Sequence, residues 1–102
     1  MKIFVDIDGT ICTTVTDGQY QYAAPIQVNI DIINDLYRRG HEIIYWTARG
    51  TETGIDWRKV TLKQFKEWGV KYNGLELGKP TYDLFIDDKA INADSINKLK
   101  EE

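Results

Sequence analysis

Polar stretches of unusual chemistry each follow an apolar run: Asp6-Ile7-Asp8-Gly9-Thr10, Trp46-Thr47-Ala48-Arg49, Gly78-Lys79-Pro80 and Phe85-Ile86-Asp87-Asp88. If those runs are neighbouring parallel strands, their carboxyl ends bring carboxylates, one ammonium and one hydroxyl to a common rim, where open α/β sheets bind ligands. Acids gathered in so poorly hydrated a place repel one another. A divalent cation relieves them, with Lys79 as an added positive charge. Hard oxygen donors, few in number and shared with water, favour Mg²⁺. The same groups suit phosphoryl transfer. One carboxylate attacks phosphorus to give an aspartyl phosphate, and a second protonates the leaving oxygen and later deprotonates water. Cation, lysine and hydroxyl hold the equatorial oxygens.

The elements that must position these groups are legible in the hydrophobic pattern. Residues 2–7 carry Ile3, Phe4, Val5 and Ile7, a run expected of a strand covered on both faces. Thr16-Asp17-Gly18-Gln19, flanked by β-formers, reads as the tip of a small β-hairpin flap over the end of that strand. Pro25 opens a helix over 25–39, with Ile26, Ile30, Ile33 and Tyr37 on one face and Gly40 as its stop. A second strand covers 41–48, and a helix from Asp56 to Trp68, with less regular apolar spacing, stops at Gly69. Strands at 74–77 and 83–87 follow, and Asp94-Ser95 caps a last helix carrying Ile96 and Leu99. The β/α alternation predicts an α/β sandwich around a parallel sheet.

With 102 residues, one domain spanning 1–102 is expected. Hydrophobic residues make up 42% and charged residues 28%, enough apolar surface to offset the entropy of ordering. The 13 basic and 16 acidic residues show no basic face of the kind that tracks phosphate backbones, so nucleic acid is not the expected partner. No apolar stretch is long enough to span a membrane, and Asp6 interrupts any leader-like run. A cytoplasmic protein with no membrane partner is expected. The single cysteine, Cys12, has no companions for a disulfide or a zinc site and reads as a small buried hydrophobe.

The motifs, taken together and in order, resemble those of the haloacid dehalogenase-like (HAD) hydrolase superfamily. Asp6-Ile7-Asp8-Gly9-Thr10 looks like its first motif, Thr47 its second, Lys79 its third and Asp87-Asp88 its fourth. The resemblance implies a Rossmann-like three-layer sandwich with sheet order 4-1-2-3. It also implies roles. Asp6 would be the nucleophile and a Mg²⁺ ligand, and Asp8 the general acid and base, with its backbone carbonyl on the metal. Thr47 and Lys79 would bind the transferring phosphoryl group, and Asp87 and Asp88 would complete the metal site, without a decision as to which touches the ion. Gly9, Thr10, Ala48 and Arg49, flanking the motifs, would contact substrate. An acid at position 8 favours phosphoester hydrolysis over dehalogenation. The segments between motifs are too short for the superfamily's cap domain, so a capless member with an open site is implied. Short chains of similar wording resemble a group associated with capsular polysaccharide and sugar-nucleotide biosynthesis, which implies a phosphosugar or small phospho-alcohol as substrate.

Several residues carry two readings. Arg49 suits bidentate binding of a substrate anion and reads equally as a surface or ion-pairing arginine. Tyr20, Tyr22 and Trp57 read as packing or flap-stiffening residues before sugar-stacking ones. Trp46 and Trp68 are assigned to the core, and Lys98, Lys100, Glu101 and Glu102 to a solvated terminal face. Two competing functions remain. One is a phosphatase of bulky substrates such as nucleotides, polynucleotide ends or phosphoproteins. The other is a receiver-like phospho-acceptor domain, although receivers place their paired acids before the lysine. An open site on so small a chain also leaves room for a neighbouring subunit to cover it, so a homo-oligomer is a candidate state.

Overall fold

The computed structural model describes residues 1–100; Glu101 and Glu102, assigned above to the terminal face, lie outside the described residues. Strand β1 (Lys2–Val5) leads through a loop to helix α1 (Gln27–Arg38), then β2 (Glu42–Trp46), helix α2 (Arg58–Trp68) and β3 (Gly74–Glu76). A 3₁₀ turn at Tyr20–Tyr22 and a 3₁₀ helix at Ala93–Leu99 complete the order. The strands form one parallel sheet in the order β1-β2-β3, with Val5 opposite Tyr45 and Trp46 opposite Glu76. The fold is broadly Rossmann-like, with no cap among the described residues. Among the described residues no helix is long and apolar enough to cross a membrane.

Successive side chains of a strand point to opposite faces. Ile3, Val5, Ile43, Tyr45 and Leu75 therefore share one face, where they meet Ile30, Ile33 and Leu36 of α1 and Phe65 of α2 in a single apolar cluster. Tyr45 and Phe65 ring centroids lie 5.0 Å apart. The helices end where the sequence places the stops. After α2, Gly69 takes φ 70°, a left-handed conformation that a Cβ would disfavour, and Val70 N–H donates to Phe65 O.

The expected third layer is absent from the single chain. Both β-α-β crossovers advance in the same direction across the sheet, and right-handed crossovers then place both helices on one face. The opposite face carries Phe4, Ile44 and Trp46, and Phe4 is left half exposed.

Strand four is the principal correction. Residues 83–87 form no strand, the order is 1-2-3 rather than 4-1-2-3, and every residue from Pro80 to Asn92 is exposed. Chain reach explains this. Lys79 N–H donates to Thr47 O, which places Lys79 beside the carboxyl end of β2, level with Ile7. A parallel strand on the outer edge of β1, ending with Asp87 beside Asp6, would begin three strand spacings, about 14 Å, from Lys79, which continues β3, and five residues lower, about 16 Å. The straight line between those points is about 21 Å, whereas the four residues from Lys79 to Asp83 reach at most about 14 Å.

Smaller departures have similar causes. Helix α1 begins at Gln27, not Pro25, because Pro25 instead closes the preceding loop in an isolated antiparallel bridge with Cys12. The flap is not a β-hairpin. Asp17 and Gly18 do form its turn, at φ 55° and 65°, but main-chain pairing stops at Thr13 N–H to Ala24 O. Its far limb coils into the 3₁₀ turn, drawn toward α2 by Gln64 Nε2, which donates to Tyr20 O at 2.7 Å. The last helix is 3₁₀, capped by Asn92, whose side chain accepts from Asp94 N–H, rather than by Asp94-Ser95. Ile96 anchors it in the core.

Candidate active site

Asp6 and Asp8 follow β1, Thr47 follows β2, and Lys79 follows β3, so three strand ends deliver four of the expected residues to one place. Together with Ala48, Arg49, Tyr20 and Tyr82 they line an open cleft of about 410 Å³. Lys79 Nζ lies 3.6 Å from Asp6 Oδ1 and over the rings of Trp46 and Tyr82, at 5.6 and 5.2 Å from their centroids. Its backbone is pinned on both sides: the N–H donates to Thr47 O, and the carbonyl accepts from Thr51 Oγ1 at 2.7 Å. Thr47 is buried, and its hydroxyl oxygen accepts from Arg49 N–H at 3.1 Å, which leaves the hydroxyl hydrogen to donate into the cleft.

Arg49 is 2% exposed and wholly engaged within the protein. Nε donates to Asp8 Oδ2 and Nη2 to Asp8 Oδ1, both at 2.9 Å. Nη1 donates to Thr61 Oγ1 at 3.0 Å and to Gln64 Oε1 at 2.7 Å, and Nη2 also meets Cys12 Sγ at 3.7 Å. The Tyr20 ring covers the guanidinium at 4.9 Å. All five guanidinium N–H groups are thus used. Of its two readings, the ion pair is the one adopted: Arg49 orients Asp8 and has no donor left for a substrate anion. The backbone beyond it requires glycine, since Gly50 sits at φ 82° and a Cβ there would overlap the carbonyl of Ile55.

Sequence reasoning missed the rest of this clamp. Thr61 and Gln64 are buried polar residues at i and i+3 on α2. They are the reason that helix lacked a clean apolar stripe, and the irregular spacing was the available signal. Tyr20 and Trp57 pack edge to face at 5.0 Å, as flap-stiffening residues, whereas Tyr22 is 75% exposed and packs little. Cys12 is fully buried; burial, with the Asp8 charge 3.4 Å away, pushes its thiol up to about 12. It is a core residue with no thiolate at neutral pH.

Other expected site residues fall elsewhere. Gly9 and Thr10 are not part of the cleft wall, because their N–H groups close the turn onto Cys12 O and Ile7 O, and Thr10 O accepts from Asn29. Asp87 and Asp88 lie in the exposed 80–92 segment, outside the cleft. There the Lys89 N–H, and then Asp88, hold the Asp87 carboxyl below its usual value. Among the described residues no three acids, histidines or cysteines are grouped to hold a metal.

The donor set of the cleft nevertheless suits Mg²⁺, which binds through one or two carboxylates and keeps several waters. Burial raises the Asp6 carboxyl above its ordinary value, and the charge of Asp8 adds to this, although Lys79 opposes the shift. Asp6 therefore sits in a poorly hydrated place that disfavours its charge. Because the folded value exceeds the unfolded one, the folded state binds more protons across that interval, and stability falls as pH rises through it. Asp6→Asn is accordingly expected to raise the melting temperature at neutral pH, with the gain vanishing below the ordinary carboxylate range. Added Mg²⁺ should stabilise the wild type and not the variant. Thermal melts with and without Mg²⁺ across pH check both.

No protein-family model matches the chain, and no curated protein matches it. It is similar to a solved structure, a structural-genomics target from Vibrio cholerae, with 26% sequence identity and a TM-score of 0.80, over 98% of this chain and 96% of that one.

Proposed function

We propose that the protein is a Mg²⁺-dependent phosphomonoesterase acting through an aspartyl phosphate on a small phosphorylated metabolite, a sugar phosphate or phospho-alcohol. The observation that carries this reading is the meeting of Asp6, Asp8, Thr47 and Lys79 around one cleft. The resemblance of their motifs to HAD hydrolases supports it.

In this reading an Asp6 oxygen attacks phosphorus, the bond to the ester oxygen breaks, and Asp8 gives that oxygen its proton. Water then attacks the aspartyl phosphate, yields a proton to Asp8, and the bond between phosphorus and Asp6 breaks to release phosphate. Lys79 and the Thr47 hydroxyl hold the phosphoryl oxygens as their charge redistributes. Arg49 keeps the Asp8 carboxylate aimed, while Asp8 Oδ2, with a single protein donor, retains a lone pair for the proton in transit. Mg²⁺, held by Asp6 and the Asp8 carbonyl, would supply charge neutralisation at the phosphoryl group.

Assays of phosphate release from sugar phosphates, phospho-alcohols, nucleotides, phosphopeptides and oligonucleotide ends test the reading. It expects turnover that EDTA abolishes, strongest on the small metabolites. No release from any of them overturns it, and preference for the macromolecular substrates overturns the substrate class. One observation favours a receiver-like reading in second place. Both Asp8 oxygens accept from Arg49, an arrangement that restrains the proton transfer needed for hydrolysis. A long-lived aspartyl phosphate with no free phosphate would select that reading.

A further inference from the structure

We propose that two copies of this chain exchange their 80–92 arms, so that residues 83–87 of one copy add a fourth parallel strand to the outer edge of β1 in the other. Each cleft would then gain Asp87 and Asp88 of the partner subunit. The assignment of those acids to the metal site rests on the phosphatase reading; the exchange itself stands on geometry.

The arm carries no helix or strand, and its apolar side chains are uncovered except where the Phe85 ring meets that of Tyr82, 5.3 Å between centroids. Leu84, Phe85 and Ile86 are 76%, 48% and 88% exposed, next to one another, in a run whose composition is that of a buried strand. The same chain presents the complementary vacancy. Among the described residues β1 pairs only with β2, so its outer edge offers a row of unpaired N–H and C=O groups, and Phe4 on the adjoining face is 50% exposed. Edge and arm therefore need each other, yet the connection after Lys79 is several ångströms too short to join them in parallel within one chain. Lys79 cannot be released to lengthen it without leaving Asp6 and Thr47. An antiparallel fit in the same chain would carry Asp87 to the opposite end of the sheet, away from Asp6.

A second copy removes the conflict. An arm arriving from outside is not tied to the Lys79 of the cleft it completes, and identical chains that trade an identical segment form a closed pair. The exchange sets Leu84, Phe85 and Ile86 against the uncovered edge of β1. It also supplies the acids that the single chain fails to gather around Asp6.

Light scattering on the purified protein is expected to give a dimer, and Ile86→Lys a monomer. Because Ile86 is 88% exposed in the single chain, that substitution removes nothing from the core of one copy. A monomeric wild type, or an Ile86→Lys variant as dimeric as the wild type, overturns the exchange. Asp6→Asn and the double variant Asp87→Asn/Asp88→Asn should each lose Mg²⁺ binding by calorimetry. Co-refolding the two in equal amounts should restore binding at about one quarter of the wild-type sites, since half the dimers are mixed and one of their two clefts is intact. Phosphatase activity should return in the same proportion. No restoration overturns the shared site. The dimer and the Mg²⁺ titration read the exchange whatever the reaction proves to be, and a monomer that hydrolyses phosphate esters would sink the exchange while leaving the phosphatase reading in place.

Discussion

Asp6→Asn is expected to lower turnover of an aryl phosphate or sugar phosphate by at least about 10³-fold, since removing a covalent nucleophile leaves only binding and electrostatic stabilisation. The amide keeps the shape of the carboxylate and can accept from Lys79, so the fold should survive and its thermal stability should rise, for the reason given by the raised Asp6 carboxyl. Loss of activity together with a gain in stability is the signature of a charge kept for chemistry at the expense of the fold. Steady-state kinetics and a melt on the same preparation check it. An Asp6→Asn protein that turns over at the wild-type rate would exclude Asp6 as nucleophile.

Arg49→Ala is expected to cost about 3–5 kcal/mol of folding stability, the usual result of removing one partner from a buried, hydrogen-bonded charge pair. The Asp8 side chain is only 21% exposed, and the substitution also strips Thr61 and Gln64 of their donor. Arg49→Lys restores charge but not the two-pronged fork, so it should recover less than half of the loss. Urea unfolding measures both. In kinetics, the lysine variant should lose kcat while KM changes little, because no guanidinium N–H is free for substrate. A selective rise in KM would instead make Arg49 a substrate-binding residue.

Much of this protein follows from local pattern. The spacing of Ile30, Ile33 and Tyr37, the stop at Gly69 and the apolar runs of β1 and β2 are short-range properties, decided by side-chain periodicity and by the backbone freedom of glycine. So is the delivery of Asp6, Asp8, Thr47 and Lys79 to one cleft, because polar residues that end parallel strands share an edge of the sheet.

Only the tertiary structure decided the remainder. The residues of Leu84-Phe85-Ile86 favour a strand, but pairing needs a reachable edge, and the distance from Lys79 to the far side of β1 is not written in local composition. Likewise, nothing near Arg49 in the chain shows whether its guanidinium faces a substrate or Asp8. That choice was made by α2, which sets Thr61 and Gln64 against it and leaves it no free donor.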